Sequence, residues 1–332
     1  MTTRNDFRRN PSVSAGPRDP ASRRSANRAQ SKKTNKKPGK VGRIALGAFA
    51  ALLLAILVTT GIGMANACLL RIRRAEVVLD DLPQGFDGVT ILYASDIDLC
   101  GLNTPERVGA LFNQLQSLQP DILILGGDYN ATSLLDVLNR PEKNSDDVKE
   151  ALESRSSFFH YIEAFQAPLG KYAIASTEDL QWQNLRDEMT KNRIRPLFNE
   201  RVAVHAGGDT LWLAGLCGKI TNLNDVGKAF SRNECVVAIA ESPDILSVLM
   251  TSEASDSGQW TDLLLCGHTH GGQICLFGRT ALSLTDTEQR LPSGWSIQNG
   301  TPMLTTQGVG CEGLNLRLGT EPEVWLIKLI RG

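Results

Sequence analysis

An α/β sandwich carried behind one transmembrane helix is the architecture this sequence predicts, and three observations predict it. Residues 44–70, IALGAFAALLLAILVTTGIGMANACLL, hold no charged side chain. The chain that follows alternates apolar strand-like runs with helix-like ones. The alternation is regular at first and then gives way to strands with little helix between them, which points away from a single doubly wound sheet.

With 332 residues, 42% hydrophobic and 21% charged, the composition is that of an ordinary globular protein with room for a sizeable core. The net charge of −1 hides an asymmetry. Residues 1–43 carry thirteen Lys and Arg, from Arg4 to Arg43, against Asp6 and Asp19, in a background of Ser, Asn, Pro and Gly. So little apolar surface cannot offset the entropy of ordering, and a disordered basic tail is expected there. It reads as a topology signal and solvated linker rather than a nucleic-acid or headgroup site, so no nucleic-acid partner is expected.

The uncharged run 44–70 exceeds the roughly 20 residues needed to cross a hydrocarbon core. A buried globular helix would show a polar face at some helical period, and none exists. A cleaved signal peptide is the rival reading, because Ala65-Asn66-Ala67 has a small-x-small form. Its apolar region would exceed the roughly 7–15 residues usual there, so an uncleaved anchor fits better. Lys32, Lys33, Lys36, Lys37, Lys40 and Arg43 precede the run, while only Arg71, Arg73 and Arg74 follow closely. That bias predicts a single-pass protein of the cell membrane with residues 1–43 cytoplasmic and 71–332 extracytoplasmic. The seven cysteines lack paired spacing, so neither a disulfide framework nor a zinc knuckle is expected, and several should remain buried thiols.

Residues 71–332 read as one domain. Strands are predicted at 74–79, 90–95, 121–126, 171–176, 202–206, 210–215, 235–240, 262–267, 303–307 and 322–328. Helices are predicted at 104–117, with Leu111, Leu115 and Leu118 on one face, and at 147–165, 180–191 and 242–250. Thr104-Pro105-Glu106 makes a good helix start, a hydroxyl cap followed by proline at the first helical position.

Four strands end in ionisable residues at the same relative place. They end at Asp96 and Asp98, at Gly126-Gly127-Asp128, at Ser176-Thr177-Glu178-Asp179, and at Gly267-His268-Thr269-His270-Gly271-Gly272-Gln273. One Asp after a strand is ordinarily a turn or cap residue. Four such ends in order point to a site where the carboxyl ends of strands converge. Two imidazoles at i and i+2 in a glycine-rich turn can face one cation or two, with the backbone close by.

The ordered motifs, an SDxx strand end, GGD, a GNH-like position, a proline–aspartate helix start and GHTHGGQ, resemble the calcineurin-like metallophosphoesterases, closest to their membrane-associated or exported bacterial branch. The likeness spans about residues 75–330 and includes the closing stretch TTQGVGCEGLNLRLGTEPEVWLIKL. It implies a four-layer α/β/β/α sandwich, a phosphoester substrate, and two divalent cations about 3.5–4 Å apart that activate water for attack on phosphorus. Asp96, Asp128, His268 and His270 match the family's ligands. Asp98 stands where the family has the histidine of D-x-H. Thr177 replaces the asparagine of GNH, and Glu178 replaces its histidine, which assists the leaving group. Glu241 stands where a further ligand histidine is expected.

These replacements change the physics of the implied site. Asp96, Asp98, Asp128 and Glu241 together neutralise two dications, where the family's own set leaves a positive excess to attract phosphate. Carboxylate in place of imidazole shifts preference from Zn or Fe toward Mn, Mg or Ca. At least one hard cation is expected with Asp96, Asp98, Asp128 and His270, and the position served by Thr177 is expected to be weak. Two functions follow: an anchored metal-dependent phosphoesterase, or a catalytically silent relative serving as a binding or scaffolding module at the cell envelope.

Overall fold

The computed structural model describes residues 39–131, 145–218, 223–276, 279–280 and 293–332. The basic tail expected over 1–43 lies outside the described residues up to position 38.

Helix α1 (Lys40–Asn66) takes up most of the uncharged run and is long and apolar enough to cross a membrane. The run's last four residues leave the helix and turn into the first strand. At that end the helix meets the domain. Gly63 is buried, its carbonyl accepts the Arg317 N–H at 3.0 Å, and the Ala67 carbonyl accepts from Arg107 Nη2 at 3.4 Å.

Two six-stranded mixed sheets form the body. The first contains β1 (Arg71–Leu79), β2 (Thr90–Ala94), β3 (Ile122–Leu125), β4 (Lys171–Ala173), β5 (Arg195–Pro196) and β14 (Glu323–Arg331), in the order β1-β14-β2-β3-β4-β5. The second contains β6 (Arg201–Ala206), β7 (Asp209–Leu216), β8 (Val236–Ala240), β9 (Leu263–Cys266), β12 (Gly294–Gln298) and β13 (Thr301–Thr305), in the order β12-β13-β9-β8-β7-β6. A separate two-stranded ladder joins β10 (Cys275–Leu276) to β11 (Arg279–Thr280). Strands β2, β3, β4 and β5 run parallel, as do β7, β8, β9 and β13. Each sheet therefore presents several carboxyl ends on one edge.

The central strands are apolar throughout because both of their faces are covered. In β8, Val237 and Ile239 join the main core while Val236, Ala238 and Ala240 join a second cluster. In β9, Leu263 and Leu265 face the first cluster, and Leu264 and Cys266 face the second. The second cluster is completed by Phe230, Trp260, Ile245 and Leu249, which cover the outside of the second sheet. Helices α2 (Pro105–Leu115) and α3 (Ser145–Glu163) cover the first, with Phe112 meeting Phe158 edge-on at 5.8 Å. The α/β/β/α layering expected of the chain is the one observed.

The predicted start of α2 holds: the Thr104 side chain accepts the Arg107 N–H at 3.3 Å, and Pro105 opens the helix. Its buried face is Val108, Phe112 and Leu115, with Leu111 and Leu118 only half-buried, so the predicted stripe was turned by one residue. The helix predicted over 180–191 is broken. A 3-10 turn (Asp179–Gln181) is followed by α4 (Leu185–Lys191), because Asn184 takes a left-handed backbone at φ 63°. The segment 242–250 is likewise a 3-10 turn (Pro243–Ile245) running into one helical turn (Leu246–Leu249). Strands β5, β10, β11 and β12 were not anticipated. The hairpin β12–β13 turns at Asn299-Gly300, both with positive φ, a two-residue connection whose sequence was legible.

Arg155 is fully buried and pairs with Glu188 of α4 at 2.8 Å. Glu188→Ala leaves that guanidinium buried without its partner. The expected result is a loss of about 3 kcal/mol in stability, read from the urea midpoint of the full chain in detergent.

Candidate metal centre

The ionisable residues named from the sequence gather at the carboxyl ends of both sheets. Asp96 and Asp98 follow β2, Asp128 follows β3, and Thr177 follows β4. From the second sheet Glu241 follows β8, and His268 and His270 follow β9. Five of them hold left-handed backbones: Asp96 (φ 53°), Asp98 (φ 47°), Asp128 (φ 54°), His268 (φ 72°) and His270 (φ 50°). Each such residue costs on the order of 1 kcal/mol and persists only where its surroundings enforce it, which is typical of functional sites.

Hydrogen bonds supply that enforcement. The Asp96 and Asp98 amides donate to the carbonyls of Gly127 and Asp128 at 3.1 and 2.8 Å, tying the ends of β2 and β3 together. The His268 amide donates to Asp96 Oδ1 at 2.8 Å, which joins the two sheets. The loop after β13 closes over the acids, with the Gly310 amide donating to the Asp96 carbonyl at 2.7 Å. A side chain at Gly308 would meet Asp96 Cβ at 2.6 Å, and one at Gly310 would meet Asp98 Cβ at 2.4 Å. Only glycine lets this loop lie against both aspartates.

Asp128, Glu241 and His268 each offer a ligand atom within 4.8 Å of the others, close enough for the three to hold one metal ion between them. His268 Nδ1 lies 3.5 Å from Asp128 Oδ2. The contact with Asp128 pushes the His268 pKa up to about 10 against the opposing effect of burial. Burial works against an ionised Asp128, yet the contacts with His268 and Ser176 outweigh it and hold that carboxyl below its ordinary value. Glu241 is raised, by burial and then by the Asp128 charge.

Behind this trio, Asp96 and Asp98 are buried, and each keeps an Oδ2 without a hydrogen-bond partner. Burial raises both well above the carboxylate range, and the neighbouring acids add to it. His270 Nε2 faces Asp98 Oδ2 at 3.5 Å, and burial followed by the Arg317 charge pushes its pKa down to about 3. The acids are thus crowded and short of positive charge.

Thr177 directs its hydroxyl at Glu241. Its Oγ1 and its amide both donate to Glu241 Oε2, at 2.9 and 2.7 Å. Glu178, next along, is exposed at the start of the 3-10 turn. Two organising residues were missed from sequence. Asp179 is buried and accepts the amides of Asp128, Tyr129 and Ser176 at 2.8, 3.2 and 3.0 Å. Burial and the Asp128 charge raise its pKa to about 7. Arg317, wholly buried, reaches His270 from the closing loop. The first sits in the STED strand end and so carried a signal. The second carried none beyond lying in the closing stretch.

No family model matches the chain. Individual relatives do. An uncharacterised metallophosphoesterase of Aquifex aeolicus is 25% identical over 272 residues, covering 78% of this chain and 92% of the relative. A phosphodiesterase of Escherichia coli is 28% identical over 215 residues, covering 64% of this chain and 71% of the relative. A bovine transmembrane protein with a metallophosphoesterase domain is 24% identical, covering 82% of this chain and 60% of the relative. Among solved structures, a dimetal phosphatase of Danio rerio aligns with 67% of this chain and 88% of its own, at 10% identity and a TM-score of 0.36.

Proposed function

The chain belongs to the calcineurin-like metallophosphoesterase family, and on that premise we propose that it is a membrane-anchored, divalent-metal-dependent phosphoesterase with a carboxylate-rich site. The observation that carries this reading is the trio Asp128, Glu241 and His268, drawn from three strand ends in two sheets and gathered within 4.8 Å. A bound divalent cation supplies activation of water and polarisation of the phosphoryl group. The protein's own part is to hold and orient. Asp128, Glu241 and His268 provide the ligand atoms. Thr177 fixes Glu241 through two donors, Asp96 fixes the His268 amide, and Asp179 fixes the loop that carries Asp128. Two carboxylates and one imidazole suit Mn or Mg, with Ca also accommodated by the oxygen-rich surroundings.

The anchor is α1, with residues 1–43 cytoplasmic and the domain 71–332 extracytoplasmic; what supports this is the surplus of Lys and Arg before the helix. One observation favours a second reading, a silent relative acting as a binding module. Glu178, at the place of the family's leaving-group histidine, brings a carboxyl group to a site that must admit a phosphate anion.

The test is turnover of an aryl phosphodiester and an aryl phosphomonoester by the full chain in detergent. Chelation should abolish turnover and Mn²⁺ should restore it, whereas absence of turnover with metal bound would favour the binding module. Thr177→Val removes one of the two donors on Glu241. The expected outcome is about tenfold weaker Mn²⁺ binding with little change in fold, measured by calorimetric titration.

A further inference from the structure

Gly63 is the twentieth residue of the uncharged run that begins at Ile44. About 20 helical residues cross a hydrocarbon core, so with α1 as the anchor Gly63 marks its outer edge. The closing loop meets α1 at this level. Leu316 and Leu318 pack on Gly63 so closely that an added Cβ there would meet them at 2.7 and 3.1 Å. The Gly63 carbonyl accepts the Arg317 amide at 3.0 Å. The loop that lies against Asp96 and Asp98 therefore reaches the anchor where the anchor leaves the hydrocarbon.

Two leucines beside this junction, Leu102 and Leu314, are each 43% exposed. Both are held by segments that carry the acids and histidines of the centre. Leu102 lies four residues after Asp98, so the two Cα atoms are at most about 14 Å apart. Asn103 pins that turn to the carbonyls of Ile97 and Asp98. Arg107 links it to the end of α1, donating to the carbonyls of Leu102 and Ala67 at 3.1 and 3.4 Å. Gln273, three residues after His270, donates to the carbonyls of Glu312 and Leu314 at 2.9 and 3.0 Å. Leu69, directly after α1, is exposed as well. An apolar rim next to a membrane helix is costly in water and is covered when it enters the bilayer.

Charge narrows the substrate. A phosphodiester carries one negative charge, whereas a phosphomonoester carries about 1.5 to 2 near pH 7. A centre lined by Asp96, Asp98, Asp128 and Glu241 repels the diester less. The headgroup layer is about 5–7 Å thick on each side of the hydrocarbon, which sets a lipid phosphate just above such a rim.

We propose that the substrate is a membrane-lipid phosphodiester, presented from the bilayer across a rim of Leu102 and Leu314 that dips into the membrane beside α1. The lipid chains stay in the bilayer while the phosphate reaches Asp128, Glu241 and His268. The oxygen of water bonds to phosphorus, one P–O ester bond breaks, and one of the water's protons goes to the departing oxygen.

The inference rests on the anchored, metal-dependent reading above, and the outcomes separate the two. The full chain in phosphatidylcholine vesicles with Mn²⁺ is given hexadecyl 4-nitrophenyl phosphate or methyl 4-nitrophenyl phosphate, which differ only in the alkyl group. The expected kcat/KM is at least about tenfold higher for the hexadecyl ester. Leu102→Asp with Leu314→Asp should cut that ratio at least about fivefold, because both leucines lose their burial in lipid. If that pair does not fold, Leu102→Ser with Leu314→Ser takes its place. Independently of turnover, Leu314→Trp should add fluorescence that brominated phosphatidylcholine quenches, beyond the quenching seen in the unaltered chain. Equal rates on the two esters, a ratio that survives the paired substitution, or no added quenching would overturn this inference and leave the metal-dependent reading standing. No turnover of either ester would overturn both.

Discussion

Asp128→Asn is expected to reduce Mn²⁺-dependent turnover by about three orders of magnitude, since the polarisation a cation supplies is worth several kcal/mol in the transition state. Asp128 is the member of the trio whose carboxyl is held ionised, and His268 leans on it. The amide would lose the charge while keeping the shape. The fold should survive, because the bonds that tie this segment down use the Asp128 main chain: its amide to Asp179 and its carbonyl to Asp98. The Asp128 charge raises the pKa of Asp96, Asp98, Asp179 and Glu241 alike. Removing it relieves four crowded acids, so the urea midpoint should not fall. Lost turnover with undiminished stability marks a ligand. Lost turnover with a collapsed midpoint would mark a structural residue.

Glu178→His is expected to increase turnover of the same phosphodiester about a hundredfold near pH 7, the lower end of what a positioned general acid contributes. An imidazole with a pKa of about 6.5 can give a proton to the departing oxygen and removes a carboxyl group from the path of an anionic substrate. The position suits this role, since it is exposed and follows directly on Thr177, whose hydroxyl and amide touch Glu241. Stability should change little at so open a site. An unchanged rate in the variant, with metal bound, would remove Glu178 from the leaving-group position and favour the binding module.

Much of the fold was readable because its strands are short apolar runs bounded by turn residues, and ten of them fall where periodicity put them. The misses share a cause. Strand β12 is only half-buried, and strands β5, β10 and β11 have two residues each, too few for a period to show. The helix over 180–191 failed where Asn184 turns left-handed, a local event that an apolar repeat does not report. Within the centre, the strand ends named Asp128 and His268, while Glu241 came only from the family resemblance. What they did not tell was direction. Thr177 turns its hydroxyl to Glu241, and His270 is held from behind by Arg317, which is 47 residues distant in sequence. Contacts of that span are set by how the closing loop packs on Asp96 and Asp98, where glycine alone fits, and no pattern within one segment encodes them.

The central claim is that a cation is held by Asp128, Glu241 and His268. Anomalous scattering from crystals of the full chain soaked in Mn²⁺ tests it most directly. The account predicts one strong peak about 2.0–2.3 Å from a carboxylate oxygen of Asp128, one of Glu241 and a ring nitrogen of His268. An empty map at those residues, or a single peak seated instead among Asp96, Asp98 and His270, would contradict it.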